Sequence, residues 1–401
     1  MKVTMSAPTT HPPLFDDLDR TDPSPAGYEE HSFSFMNRVN QPFWDRVRDE
    51  LDRWFAGYPS EHAADLRGRF RDGSPAQHFG AWWELYLHRL LTCLEFEVEV
   101  HPDLPVTEAK PDFRITRDEK SVLIEAATTF SGIVDEERDG VREAWIKAAA
   151  DEASNPNFFV GLEFERVGAQ RPSVREIVNP LERWLDQLDP DEVSKEGLVD
   201  APTLRLPVRD WELVFTAIPV KPEARGRPDH RMLGMGPSMG GMVNDVDMLM
   251  RTLERKRSKY GRPDEPFMLA VLLMSAFMEN EDIEQALLGR MAWEIDVDDP
   301  TGGRWIRQRN GFWLRGAQPR GTRVSGVLTG TNIMPWTVAK TWLRLWPNPW
   351  ATSPLHVEFG FPRGVANTRG RVSYEDVPGL PGAVLGLSPD WPGPERPFEG
   401  N

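Results

Sequence analysis

The segment from Pro111 to Glu125 sets the tightest limit on how this chain can fold. Pro111-Asp112 opens an apolar alternating stretch (Phe113, Ile115), a polar turn follows at Arg117-Asp118-Glu119-Lys120, and Val122, Leu123 and Ile124 lead to Glu125. Alternation on either side of a polar turn predicts a hairpin of two strands. Asp112 and Glu125, thirteen residues apart in sequence, then come side by side at one edge of a sheet. Two nearby carboxylates repel each other and favour a divalent cation between them. On the Glu125 strand, Leu123, Glu125, Ala127 and Thr129 share a face. Glu125 is therefore flanked by apolar residues, where a lone carboxylate is costly. A metal ion, a cationic partner or a position at the rim must compensate; a strand-end Glu paired with an arginine is the plain structural alternative. A second Pro-Asp pair, Pro102-Asp103, lies in a Pro-rich connector instead.

Upstream, Phe79, Trp82, Trp83, Tyr86, Leu87, Leu90, Leu91 and Leu94 recur at helical spacing and predict one wide apolar stripe. Glu84 falls at its edge, with His88 one turn later on the same side. An acid there can look along the sheet rather than into water; the alternative is a solvated flank residue.

The run Glu84-Leu85-Tyr86-Leu87, the pair Pro111-Asp112 and the run Glu125-Ala126-Ala127 together resemble the PD-(D/E)XK nuclease superfamily. The resemblance is good over about residues 79 to 129 and looser over about 243 to 275. It implies an α/β fold: a restriction endonuclease-like αβββαβ core on a mixed central sheet, here with a large insertion and a C-terminal strand-rich region. It implies that Asp112, Glu125 and the backbone carbonyl of Ala126 hold Mg²⁺ or Mn²⁺. Glu84 would be an accessory acid or a further metal ligand, and DNA the substrate. The superfamily's lysine, two residues after the Glu, is Ala127 in this chain. The segment from Val243 to Tyr260 reads as a helix with Arg251, Arg255, Lys256, Arg257 and Lys259 near its end. Lys256 is the first candidate for a relocated catalytic lysine and Lys259 the second. Cations there equally complement a helix dipole or touch phosphate. The implied activity is an endonuclease, weak or conditional for want of the motif lysine. The alternative is an inactive relative that binds nucleic acid or a protein partner in a bacterial defence or mobile-element setting.

A formal charge of −16 over 401 residues argues against non-specific nucleic-acid binding by the chain as a whole. Its distribution is uneven. No Asp or Glu occurs between Asp299 and Glu358, where about nine would fall by proportion. That interval holds Arg304, Arg307, Arg309, Arg315, Arg320, Arg323, Lys340 and Arg344, interleaved with Trp305, Phe312, Trp313 and Trp336. Such a stretch suits phosphate contact and base stacking, and Lys259, Arg304, Arg307 and Arg309 are the candidate contacts. Pairing with acids of the same chain is the alternative.

Other chemistries find little footing. One cysteine, Cys93, excludes an intramolecular disulfide framework. The scattered histidines form no zinc pattern, and no nucleophile elbow or dinucleotide fingerprint occurs. The loop from Gly234 to Gly241 lacks the Gly-Lys-Ser/Thr ending of a phosphate-binding loop. The longest apolar run, Pro266 to Met278, is too short to span a bilayer, and Met1–Pro13 shows no secretory pattern. A cytoplasmic protein without membrane association is the expectation.

The chain divides on paper into a disordered N-terminus (1–30), a helical segment (31–78), a nuclease-like core (79–290) interrupted at about 130–242, a basic, aromatic, strand-rich region (291–376) and a Pro-rich tail (377–401). Inside the interruption, two helices and two strands are expected, with 190–210 as a charged connector.

Overall fold

A computed structural model describes residues 11–393, apart from 25, 28–29, 106, 131–139, 197–200, 221, 223–224, 227–231, 234–244, 258, 261–263, 276–277, 296–302 and 317. The chain forms two compact units. One holds the chain up to Phe130 and again from Asp245; the other is built mainly from Ser131–Asn244.

The larger unit begins with four helices: α1 (Ser32–Arg38), α2 (Pro42–Ala56), α3 (Ser60–Phe70) and α4 (Pro75–Cys93). Both α2 and α4 start with proline, which is preset for the first helical turn and forfeits no hydrogen bond there. Gly57 and Pro59 separate α2 from α3. The sequence expectation of disorder over 1–30 is corrected for the described part. Leu14 and Phe15 are buried, and the Leu14 amide donates to Asp52 at 2.7 Å. Residues 1–10 lie outside the described residues.

Three strands follow: β1 (Glu97–Val100), β2 (Phe113–Arg117) and β3 (Lys120–Phe130). They pair antiparallel, and Arg117 faces Lys120 across a two-residue turn. Asp118 and Glu119 both have positive φ (52° and 60°), the backbone that matches a tight hairpin to strand twist.

The smaller unit contains α5 (Gly140–Ala150), β4 (Phe158–Arg166), α6 (Val174–Leu185), α7 (Pro190–Glu196), β5 (Thr203–Val208) and β6 (Trp211–Pro219). Its sheet is antiparallel in the order β4-β6-β5, and Phe158, Val160, Ile177, Leu181, Trp211, Leu213 and Phe215 belong to its core. The stretch over 190–210 is thus a helix and a strand instead of a connector. Leu204 and Leu206, packed against that core, alternate with Thr203 and Arg205, a half-buried edge pattern.

The chain returns as α8 (Asp245–Lys256), β7 (Phe267–Met274) and α9 (Asn280–Leu288). Short strands then follow: β8 (Met291–Ile295), β9 (Gly303–Arg307), β10 (Leu314–Arg315) and β11 (Gln318–Pro319). Last come β12 (Gly326–Thr331), β13 (Arg344–Pro347), β14 (Arg363–Ala366), β15 (Val372–Glu375) and α10 (Pro381–Leu385). The main sheet is mixed and eight-stranded, in the order β1-β2-β3-β7-β12-β13-β14-β15. β3, β7 and β12 run parallel. β7 is buried along nearly its whole length, as its unbroken apolar sequence requires of a strand covered on both faces.

Two expected boundaries move. The region over 291–376 is no separate strand-rich body, because β12 docks beside β7 and carries β13, β14 and β15 into the same sheet. The tail over 377–401 is ordered as far as it is described. α10 packs against Ala339, and the Trp391 indole donates to the Pro335 carbonyl at 2.9 Å. Residues 394–401 lie outside the described residues. Among the described residues no helix is long and apolar enough to cross a membrane.

Candidate active site

β3 is longer than β2, and the difference creates the site. The ladder between them ends at Phe113↔Ile124. One step further, Asp112 stands across from Glu125. Beyond it, the Ala126 amide has no β2 carbonyl to meet and donates instead to Oδ2 of Asp112 at 2.7 Å. The other side of β3 stays paired with β7 as far as Phe130. The acids therefore lie where the sheet steps down inside its area, not at the outer edge that the hairpin pattern suggested.

A cleft of about 200 Å³ opens at this step. It is lined by Gly80, Trp83 and Glu84 of α4, by Asp112, by Glu125, Ala126, Ala127 and Thr128 of β3, and by Arg255, Lys256 and Lys259. α4 is held to the sheet by the Trp83 indole, which donates to the Ala270 carbonyl at 3.0 Å. α8 is held by Leu249 and Leu253, which share a core with Leu123, Ala127, Leu269 and Val271. Lys256 lies three residues after Leu253 and seven after Leu249, on that same inward stripe. It is the last residue of α8.

Glu125 is fully buried, at 0% exposure. Three donors surround it. Lys256 Nζ lies 2.6 Å from Oε1, Lys259 Nζ lies 2.9 Å from the same oxygen, and the Tyr260 hydroxyl bonds to Oε2. Burial alone would raise its pKa, but the Lys256 charge and the three hydrogen bonds outweigh burial and hold it below the usual carboxylate range. Burial and the charge of Glu125 drive the Tyr260 phenol upward, so it stays protonated and donates. Its oxygen also lies 3.0 Å from the Lys110 carbonyl, two residues before Asp112.

Asp112 is the opposite case. Its Oδ2 takes the Ala126 amide, and no ion pair with it occurs among the described residues. Burial, then the charges of Glu125 and Glu84, raise its pKa well above the usual range. Adjacent carboxylates pushed in opposite directions are a pattern that reactive centres share.

Glu84 reaches the cleft, but Arg69 of α3 grips both of its oxygens at 2.7 Å. Arg69 also reaches Asp65 at 2.8 Å. The expectation of three carboxylates around one cation is corrected accordingly: among the described residues no group of three or more His, Cys, Asp or Glu is arranged to hold a metal ion. Arg69 neutralises Glu84, and the lysines neutralise Glu125. What remains for a cation is Asp112, Glu125 and the Ala126 carbonyl. These are hard oxygen donors, and Mg²⁺ is commonly bound through one or two carboxylates plus water. Asp112, half-buried and in no ion pair among the described residues, is the group that fits such an ion. His88, on the Glu84 side of α4, packs against Tyr58, and burial lowers its pKa to about 4. It is a core histidine.

The expected nucleic-acid contacts fare differently. Lys259 is committed to Glu125. Arg307 is half-buried between Glu284 and the Gly289 carbonyl. Arg309 donates to the Gly316 carbonyl at 3.4 Å, and Arg304 is the register partner of Glu294 in the β8–β9 pair. Arg315 and Arg344 also find acids outside the acid-free interval, Glu254 at 3.9 Å and Asp376 at 3.0 Å. Phe312 and Trp313 are core residues, and Trp336 packs edge-on against Trp44. Of the expected stacking residues only Trp305 is widely exposed, at 64%, paired with the exposed Trp293. Arg307, Arg315 and Arg344 of the basic stretch therefore balance acids of their own chain.

Sequence reasoning missed Arg69 and Tyr260. Nothing near Arg69 marks it. Tyr260 carried a signal: Val246, Leu249, Leu253, Lys256 and Tyr260 repeat at alternating steps of three and four, so two polar groups continue a core stripe and need a buried partner. No family model, no curated protein and no solved structure matches the chain.

Proposed function

We propose that this protein is a metal-dependent phosphodiesterase of the restriction-endonuclease type that cuts DNA, with its centre at Asp112, Glu125 and Lys256. The observation that carries the reading is the lysine. The motif position is Ala127, yet Lys256 reaches Glu125 from a different element at 2.6 Å. The order of elements around the cleft supports it. A helix (α4), three antiparallel strands, a helix (α8) and a parallel strand (β7) follow one another. That is the αβββαβ order the resemblance implies, with the smaller unit inserted before α8.

In this reading Asp112, Glu125 and the Ala126 carbonyl hold Mg²⁺ or Mn²⁺. When bound, the ion supplies a water of lowered pKa and offsets charge on the phosphate. Glu84, locked to Arg69, fixes the α4 wall and presents no free oxygen pair to a second ion. Tyr260 and Lys259 keep Glu125 ionised and in place. Lys256 and Arg255 bring positive charge to the cleft, which an anionic substrate needs in a chain of net charge −16.

The test is cleavage of supercoiled plasmid with Mg²⁺ or Mn²⁺. Wild type nicks or linearises the plasmid, Asp112→Ala abolishes cutting, and Lys256→Ala lowers the rate by about 10²- to 10⁴-fold, the usual worth of a positioned proton-transfer group. Equal cutting by wild type and Asp112→Ala removes the site from consideration. A second reading, anion binding without hydrolysis, draws on the two ammoniums that already satisfy Glu125. Metal-independent retention of DNA without cutting would favour it.

A further inference from the structure

The Lys256 ammonium lies 2.6 Å from Oε1 of Glu125 and 3.5 Å from the carbonyl oxygen of Ala126. Those are two of the three oxygens assigned above to the metal. We infer that Lys256 is the resident cation of this cleft and competes with the divalent ion for it. Metal entry expels the ammonium from between Glu125 and Ala126. The inference rests on the metal reading above and adds a control to it.

The argument is one of charge and space. A carboxylate at 0% exposure needs a positive partner at all times. Oε2 is taken by the Tyr260 hydroxyl, and Oε1 already carries two ammoniums. A divalent ion added to all of these would crowd three cations onto one carboxylate, and like charges at that range repel strongly. One lysine must leave. Lys259 is the more exposed, at 42% against 24% for Lys256. Lys256 alone also contacts the Ala126 carbonyl, so it stands on the metal's own ligands while Lys259 approaches from the open side. Once released, Lys256 stays at the end of α8 beside Arg255, on the wall of the cleft. There it supplies the cation that Ala127 cannot. The site thus changes one positive charge for another and never leaves Glu125 unpaired.

The test measures Mn²⁺ binding to the full chain by electron paramagnetic resonance of the free ion, without any nuclease readout. Four proteins are compared: wild type, Lys256→Gln, Lys256→Arg, and Asp112→Asn as the marker of the site. Lys256→Gln leaves Lys259 and Tyr260 on Glu125, so the fold is retained, which circular dichroism checks. The expected result is that Lys256→Gln binds Mn²⁺ about tenfold or more tightly than wild type. Lys256→Arg, which restores the resident charge, shows no such gain, and Asp112→Asn lacks the site. Wild-type binding that Lys256→Gln leaves equal or weakens overturns the competition while the metal site stands. If wild type and Lys256→Gln bind no more Mn²⁺ than Asp112→Asn, the metal reading falls and the competition with it.

Discussion

Asp112 and Glu125 face each other across one step of a hairpin, yet their carboxyls are driven apart. Glu125 is kept ionised by Lys256, Lys259 and Tyr260, whereas for Asp112 burial and two neighbouring acids outweigh the Ala126 amide and the Lys256 charge. The consequences for stability have opposite signs. The folded-state pKa of Glu125 is depressed, so its contribution is present above the ordinary carboxyl range and lost as pH falls through the depressed value. The folded-state pKa of Asp112 is raised, so the native state loses stability as pH rises from the ordinary carboxyl range through the raised value. Thermal melts between pH 4 and pH 8 are expected to show Asp112→Asn melting above wild type at pH 8, with the gap closing toward pH 4. Glu125→Gln is expected to lose about 1–3 kcal/mol near neutral pH, the cost of stranding polar groups. Substitutions that shift stability in the same direction would mean that the pair is an ordinary buried network. The two acids were legible in the sequence because a Pro-Asp opening and a tight turn fix their spacing. Their partners were not: Arg69 meets Glu84 through the packing of α3 on α4, which no local pattern records.

At the scale of elements, the site depends on how the end of α8 and the turn after it are tied to the sheet. Tyr260 makes that tie, because its oxygen meets both Glu125 on β3 and the Lys110 carbonyl just before Asp112. Tyr260→Phe keeps the ring against Phe267 and removes only the hydroxyl. Urea denaturation is expected to show a loss of about 1.5–3 kcal/mol, the range for a hydrogen bond to a charged group. A loss within error would show that the hydroxyl is dispensable and that the lysines alone hold Glu125. The hairpin, α4, α8 and β7 were all readable from periodicity, since each carries its own apolar pattern. The docking of β12 beside β7 was not. The two strands are joined by a long stretch containing α9 and the β8–β9 hairpin, and pairing across such a distance leaves no local trace.

For the whole molecule, the main sheet and the inserted unit each have a separate hydrophobic core. The two units divide after Phe130, where a strong strand ends, and before Asp245, where an amphipathic helix starts. Phe215 is a fully buried member of the inserted core. Phe215→Ala is expected to cost about 3–5 kcal/mol there. In a calorimetric scan it should lower one transition and leave the other in place. A single transition that moves as a whole would show that the two cores unfold as one. The charge map is also a property of the whole chain: arginines of the acid-free interval pair with Glu254, Glu284 and Asp376 outside it, so composition by segment overstated how much basic surface is available.

The proposed function centres on one cleft, where the proposal has a divalent ion held by Asp112, Glu125 and the Ala126 carbonyl with Lys256 displaced. The most direct measurement is anomalous diffraction from crystals of the full chain soaked in Mn²⁺. The expected result is a single anomalous peak bounded by those three groups, with the Lys256 ammonium moved off Glu125. Crystals saturated with Mn²⁺ that show no peak there, with Lys256 still bonded to Glu125, would contradict it.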